Sequence, residues 1–260
     1  MTTLTKRVEM SSRRAILSIL IGCAMMFAIL ELGVTFLAAL LDQTWAALIV
    51  TAIMVLVAVL FERQAFKKDA VQGLRAIGYG RPDPRAILVA VIIGLVMLAF
   101  FPIFSLVTGA QITLKPNWWW ILAGAIALNG IGEETLFRGY VFGGLRREAD
   151  LPFRQAGFIS MAIFAAVHLL LFIGNPFFVG FLGTLVAISA AFPMAYLFER
   201  GNNTIWAPVV LHVATHTIRL VDISEPQYFT AVGIWLLLQI GMVFLVFLFL
   251  NNLLKPQTEE

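Results

Sequence analysis

The sequence is poor in the residues that solubilise and cross-link a water-soluble protein. Only 13% of its 260 residues are charged, and Cys23 is its single cysteine. Soluble domains carry about 25% charged residues, so the composition excludes a soluble enzyme and a disordered chain. A single cysteine forms no intramolecular disulfide, which excludes a disulfide scaffold and a cysteine-based metal site.

Hydrophobic residues are abundant instead, at 60% of the chain, and the mean hydropathy is +0.92. They recur in runs of about twenty residues, the length that crosses a hydrocarbon core of about 30 Å. We therefore predict an all-α polytopic membrane protein that forms one integral membrane domain over residues 1–260. The predicted bundle of about eight transmembrane helices occupies residues 15–41, 45–61, 86–107, 118–140, 156–174, 177–198, 205–221 and 229–250.

The distribution of positive residues indicates membrane topology and not nucleic-acid binding. The net charge is +3, but the positive residues lie in short loops between apolar runs and form no continuous stripe, so we expect no nucleic-acid partner. Cytoplasmic loops collect Lys and Arg, and eight spans with an inner N-terminus place nearly all of them on one side. The cytoplasmic set is Lys6, Arg7, Arg13, Arg14, Arg63, Lys67, Lys68, Arg75, Arg81, Arg85, Arg146, Arg147, Arg154, Arg200 and Lys255. We predict that both termini are cytoplasmic.

Ionisable residues recur inside the predicted spans, where they are costly and mark functional sites. The fourth span holds Asn129, Glu133, Glu134 and Arg138, the fifth holds Phe164 and His168, and the seventh holds His212 and His216. At about 1.5 Å per residue, Glu133 and His212 lie about 10 Å from the cytoplasmic ends of their predicted spans, and His168 about 18 Å. We therefore predict one intramembrane cavity that faces the cytoplasm.

The two adjacent glutamates cannot share one role, because neighbours on a helix point about 100° apart. Glu134 and Arg138 are four residues apart in the favourable acid-before-base order, so we predict an ion pair that supports the helix end. Glu133 is then free to act, with Asn129 one turn before it. A carboxylate without a cation in apolar surroundings suits a general base for water.

The histidine spacing leaves several chemistries open. His212 and His216 share a helical face, so their imidazoles can share a metal ion, a proton or a substrate oxygen. Phe164, one turn before His168, is interpreted as a packing residue that orients the imidazole. Glu31, alone in the first span, lines the cavity or pairs with a polar neighbour, and we do not assign it to catalysis.

These residues resemble the motifs of the CPBP intramembrane proteases, a family that includes the CAAX prenyl endopeptidases. Glu133, Glu134 and Arg138 match its EExxxR motif, and Phe164 and His168 match its FxxxH motif. His212 matches the first position of its HxxxN motif, whereas His216 stands where Asn is common. The matching stretch, about residues 118–221, is the predicted catalytic half of the chain.

The resemblance implies an intramembrane endopeptidase that acts on membrane-associated proteins or peptides, with membrane lipid around it. It implies that Glu133, with help from His168, activates a water, and that His212 and His216 stabilise the oxyanion. The label metalloprotease, common in the family, implies a zinc ion, for which His168, His212 and His216 are the candidate ligands. A glutamate mechanism without metal is the other route that the resemblance allows.

Two other functions remain as alternatives. A non-catalytic membrane scaffold or regulator keeps the fold and binds partners, although loss of Glu133 or His168 would have favoured it and both are present. A proton-coupled transporter is a further alternative, because buried Glu and His residues can form a proton relay. Transporters often repeat their broken spans in two halves, whereas the candidate relay residues here concentrate in the second half.

Overall fold

The computed structural model describes residues 11–173 and 175–253. These residues form an almost entirely helical bundle with one short two-stranded sheet. Lys6, Arg7 and Lys255, which contribute to the predicted cytoplasmic charge, lie outside the described residues.

Twelve α-helices and two strands follow one another along the described chain. The helices are α1 (Ser12–Leu40), α2 (Gln43–Phe66), α3 (Ala70–Ala76), α4 (Pro84–Leu98), α5 (Phe100–Thr108), α6 (Trp118–Ala125), α7 (Gly143–Arg147), α8 (Phe153–His168), α9 (Phe177–Arg200), α10 (Trp206–Thr215), α11 (Tyr228–Met242) and α12 (Leu245–Leu253). Two π-helical segments, Ile126–Gly132 and Thr135–Phe142, join α6 to α7, and 3₁₀ turns at Leu169–Phe172 and Thr217–Leu220 follow α8 and α10. Strands β1 (Ile112–Leu114) and β2 (Val221–Ile223) pair antiparallel.

Six helices of the described chain are long and apolar enough to cross a membrane. They are Ser12–Leu40, Gln43–Phe66, Pro84–Thr108, Phe153–Phe172, Phe177–Arg200 and Tyr228–Asn252. The prediction of an integral, multi-pass membrane protein is therefore confirmed.

The count of about eight spans is not confirmed, although both remaining segments are helical. The predicted fourth span is a helical path over 118–147, which changes to π geometry in its middle. The predicted seventh span is the ten-residue helix α10, which the 3₁₀ turn extends. Hydropathy finds such segments but carries no information about where helical geometry changes.

Contacts between connecting segments define two ends of the bundle. At the first, which we call the basic end, Arg146 reaches Glu199, with 2.9 Å between Nε and Oε2. Arg147 and Lys68 both approach the fully buried Glu62 there. At the opposite end, the indole N–H of Trp120 donates to Asp42 over 3.1 Å, and β1 pairs with β2. The helices run alternately between these ends.

The helical path over 118–147 runs through the protein interior. Every residue of its second π-helical segment, Thr135–Phe142, is buried, and the Tyr140 hydroxyl donates to the carbonyl of Ser18 in α1 over 3.3 Å. Gly139 allows a close approach of two backbone segments, because a Cβ there would lie 2.1 Å from the carbonyl oxygen of Ile77. Packing on several sides fixes the helix that carries Glu133 and Glu134.

Candidate active site

A group of polar side chains lines one cavity of about 480 Å³. Its walls come from α1, the π-helical path, α8, α9, α10 and α11, and most of the lining is apolar. The ionisable side chains on the wall are Glu31, Glu133, Arg138, His168, His212, His216 and Arg219. A concave, mostly apolar pocket with a few convergent polar groups is typical of a binding or active site.

The cavity extends toward the opposite end of the bundle. Leu170, Leu171 and Asn175, from the connection between α8 and α9, belong to its lining, as does Arg219 after α10. Glu133 lies near the middle of the path over 118–147, about 20 Å from each terminus at about 1.5 Å per residue. The predicted opening toward the cytoplasm is not confirmed, because the depth assigned to Glu133 took Tyr140 as the span's end and the helix continues to Arg147.

Glu133 is held on its own helix by Asn129. The Asn129 amide donates to Oε1 of Glu133 over 2.8 Å. Its second carboxylate oxygen, Oε2, lies 3.9 Å from Nε2 of His212, and the side chain is 14% exposed. This separation is too long for a direct hydrogen bond, but a water can contact both groups.

Glu134 lies deeper and links two helices. The Arg138 guanidinium donates to its Oε1 over 3.0 Å, so the residues form the ion pair that their spacing favours. The same oxygen lies 2.6 Å from Nδ1 of His212 in α10. A carboxylate contact at Nδ1 fixes the orientation and tautomer of an imidazole, as in the Ser-His-Asp triad. Residue spacing does not predict this contact, because 78 residues separate the partners.

His168 ends α8 with its ring turned back toward its own helix. Its Nδ1 lies 2.8 Å from the carbonyl oxygen of Phe164, and a carbonyl only accepts hydrogen bonds, so we assign the proton to Nδ1. In the neutral ring, Nε2 then carries a lone pair that can accept a proton. The Phe164 ring contacts the His168 ring at a centroid distance of 4.4 Å and lies 4.6 Å from Cζ of Arg138.

His216 lies one turn beyond His212 at the end of α10. The two rings stack with centroids 5.2 Å apart and an angle of 27° between their planes. Both rings line the cavity, so the shared face that their spacing predicts is present in the structure.

The three histidines do not assemble a metal site in this arrangement. Within the described residues, no three His, Cys, Asp or Glu side chains are grouped so that they could hold one ion. The residues therefore do not fit the three-ligand zinc site typical of metalloproteases, and no step below uses a metal.

Arg219 is a further polar member of the cavity wall. Its Nη1 donates to the side-chain oxygen of Asn129 over 3.2 Å, so Arg219, Asn129 and Glu133 form a hydrogen-bonded chain. Of the two possibilities predicted for Glu31, the structure shows the first, because its side chain lines the cavity.

A family comparison agrees with this geometry. Residues 115–218 match the model of a family described as type II CAAX prenyl endopeptidase Rce1-like. The resemblance to the CPBP proteases is confirmed. The match covers less than half of the 260-residue chain and includes every motif residue from Glu133 to His216. Comparisons with curated proteins and with solved structures gave no match.

Proposed function

We propose that this CPBP-like protein is an intramembrane endopeptidase that hydrolyses peptide bonds of membrane-associated proteins or peptides. The observation that carries the proposal is the placement of Glu133. Its Oε1 is held by Asn129, and its Oε2 faces Nε2 of His212 across a gap that a water can fill. A family of endopeptidases matches the same stretch of chain, and all of the motif residues except the deeper Glu134 line the cavity.

In the proposed reaction, a water donates one proton to Oε2 of Glu133 while its oxygen forms a bond to the peptide carbonyl carbon. The free Nε2 of His168 assists this proton transfer. Positioned acid–base groups of this kind contribute about 10²–10⁴-fold to rate. The carbon–nitrogen bond then breaks, and the proton held by Glu133 passes to the leaving amine.

The histidines of α10 supply the complementary charge. His212 in its protonated form donates from Nε2 to the carbonyl oxygen that becomes negative, and His216 contributes a second imidazole. Glu134 holds the other nitrogen of His212, so its carboxylate balances the imidazolium charge. Arg138 donates to the same carboxylate oxygen and so holds Glu134 in place. Asn129, Glu134, Arg138 and Phe164 are thus positioning residues in this proposal.

The orientation and span count belong to the same proposal. The charge pattern supports a cytoplasmic location for both termini and for the basic end. The path over 118–147 and α10 with its 3₁₀ turn would then be the fourth and seventh of eight membrane passes. In that orientation, Leu170, Asn175 and Arg219 lie toward the non-cytoplasmic side of the cavity.

The test is mass-spectrometric mapping of new protein termini in membranes that express wild type or Glu133→Gln at matched levels. The substitution is nearly isosteric and removes the base. Asp222→Asn is the matched control, because it removes a carboxylate from the exposed face of β2. We expect termini shared by wild type and the control and absent with Glu133→Gln. Identical termini from all three folded proteins would instead support the membrane scaffold.

A further inference from the structure

Arg219 brings a positive charge into a cavity whose mechanism does not use it. It belongs to the 3₁₀ turn Thr217–Leu220, and its side chain is both exposed and part of the cavity lining. The one hydrogen bond described for the guanidinium goes to the neutral amide oxygen of Asn129. A guanidinium carries five N–H donors, so most of its binding capacity remains available.

No carboxylate neutralises this charge in the described part of the chain. The ion pairs found there involve Arg138, Arg146, Arg147, Lys68 and His212, and Arg219 takes part in none of them. A charged side chain that faces a cavity of a membrane protein often marks a substrate pathway. A guanidinium binds a planar carboxylate in two parallel hydrogen bonds, so an anionic ligand would complete this site.

The position of Arg219 favours an anion carried by the peptide over a lipid headgroup. Asn129 contacts Arg219 through its oxygen and Glu133 through its nitrogen. A group bound by the guanidinium therefore lies only one amide side chain away from the proposed base. A volume of about 480 Å³ falls within the range of small-ligand pockets, about 300–1,000 Å³, and accommodates a short peptide segment.

We propose that Arg219 is a specificity-determining residue that binds a carboxylate of the peptide substrate. The carboxylate comes either from the peptide's C-terminus or from an acidic side chain. Its capture at Arg219 places a neighbouring peptide bond beside Glu133. This assignment rests on the proposed function, because it takes a peptide as the ligand.

Binding to a cleavage-deficient protein tests the assignment apart from catalysis. Glu133→Gln protein in phosphatidylcholine nanodiscs is titrated with three dansylated probes, Leu-Leu-Leu with a free C-terminus, its C-terminal amide, and Leu-Glu-Leu amide. The double variant Glu133→Gln/Arg219→Gln is compared with Glu133→Gln/Arg154→Gln, which removes an exposed arginine at the basic end.

We expect a probe with a carboxylate to bind Glu133→Gln about 10- to 100-fold more tightly than Leu-Leu-Leu amide, as hydrogen bonds to charged groups imply. Arg219→Gln should abolish this preference and Arg154→Gln should retain it. Preference for free Leu-Leu-Leu identifies the C-terminus, and preference for Leu-Glu-Leu amide identifies the acidic side chain.

Three results would overturn the proposal. They are no binding of any probe, equal binding of all three, and an equal effect of Arg219→Gln on each. Phosphatidylglycerol is added as a lipid competitor. If it displaced all three probes equally, and only from protein that retains Arg219, the site would be a lipid site. If binding depended on the carboxylate but terminus mapping found no wild-type-specific protein termini, the anion site would be supported and the proposed protease activity would be contradicted.

Kinetics separate recognition from an indirect effect on the base. With a carboxylate substrate, Arg219→Gln should raise KM by about 10-fold or more and change kcat little, because a uniform binding interaction is lost. If Arg219 acted only by positioning Glu133 through Asn129, kcat would fall for amidated and free peptides alike, which contradicts the proposal.

Discussion

Nδ1 of His212 lies 2.6 Å from Oε1 of Glu134, the same oxygen that accepts a hydrogen bond from Arg138. This one carboxylate joins the π-helical path to α10, and both carry proposed site residues. Oε2 of Glu134 has no hydrogen-bond partner among the described residues. The position of His212 therefore depends on Oε1.

Glu134→Gln is expected to lower kcat by about 10²-fold or more with little change in KM, because the amide no longer stabilises a His212 imidazolium in the transition state. Cleavage kinetics of a substrate found by terminus mapping provide the measurement, and circular dichroism monitors folding. If activity fell only in proportion to the amount of folded protein, Glu134 would have a structural role and no role in catalysis.

Arg138→Ala is expected to destabilise the fold by about 3–5 kcal/mol, because it leaves the fully buried Glu134 carboxylate without its cation. Arg138→Lys keeps the positive charge and should destabilise the fold less than Arg138→Ala. Thermal unfolding in one detergent compares the two variants with wild type. Equal unfolding temperatures for Arg138→Ala and wild type would contradict a structural role for the pair.

Gly139→Ala is expected to lower the folding yield or the unfolding temperature, because the added Cβ meets the backbone of Ile77 at 2.1 Å. Gly233→Ala in α11 is the matched control, since nothing lies within 4 Å of a Cβ there. Because Ala is favoured over Gly in helices by about 1 kcal/mol, the control should be neutral or stabilising. Unchanged folding yield and unfolding temperature in Gly139→Ala would contradict a close contact between Gly139 and Ile77.

Removal of metal is expected to leave cleavage intact. Among the described residues, no three His, Cys, Asp or Glu side chains are grouped so that they could hold one ion. Activity after dialysis against EDTA and metal content by mass spectrometry check this. Stoichiometric zinc that disappears in both His212→Ala and His216→Ala, together with activity restored by zinc, would establish the metalloprotease route.

Cysteine labelling tests the proposed orientation. In a Cys23→Ala background, Asn175→Cys should react with a membrane-impermeant maleimide added outside intact cells. Arg154→Cys should react only after permeabilisation, because it lies at the basic end. Both positions are exposed. The reverse pattern would place the cavity's Asn175 side in the cytoplasm and overturn the proposed orientation of the termini.

Composition and spacing were sufficient for much of the architecture. Long apolar runs predict membrane helices, because a helix makes all the hydrogen bonds of its backbone N–H and C=O groups internally, as lipid requires. Each of the predicted spans has a helical counterpart in the structure. The i, i+4 spacing likewise anticipated the Glu134–Arg138 pair and the shared face of His212 and His216. These are local relationships along one helix, which a sequence encodes directly.

Residue spacing along the chain did not predict how deep a residue lies in the bundle or which helices contact each other. The path that carries Glu133 continues to Arg147, and this changes the depth at which its carboxylate lies. Likewise, the hydrogen bond between Arg219 and Asn129 joins residues 90 positions apart.

The sequence by itself determined that this protein is a membrane helix bundle with Glu and His residues on its interior helices, because hydropathy and helical periodicity are properties of the chain. Only the tertiary structure decided that Glu134 holds His212 and that Asn129 connects Arg219 with Glu133. These contacts depend on how distant helices rotate and pack, and that arrangement is set by the whole interior at once.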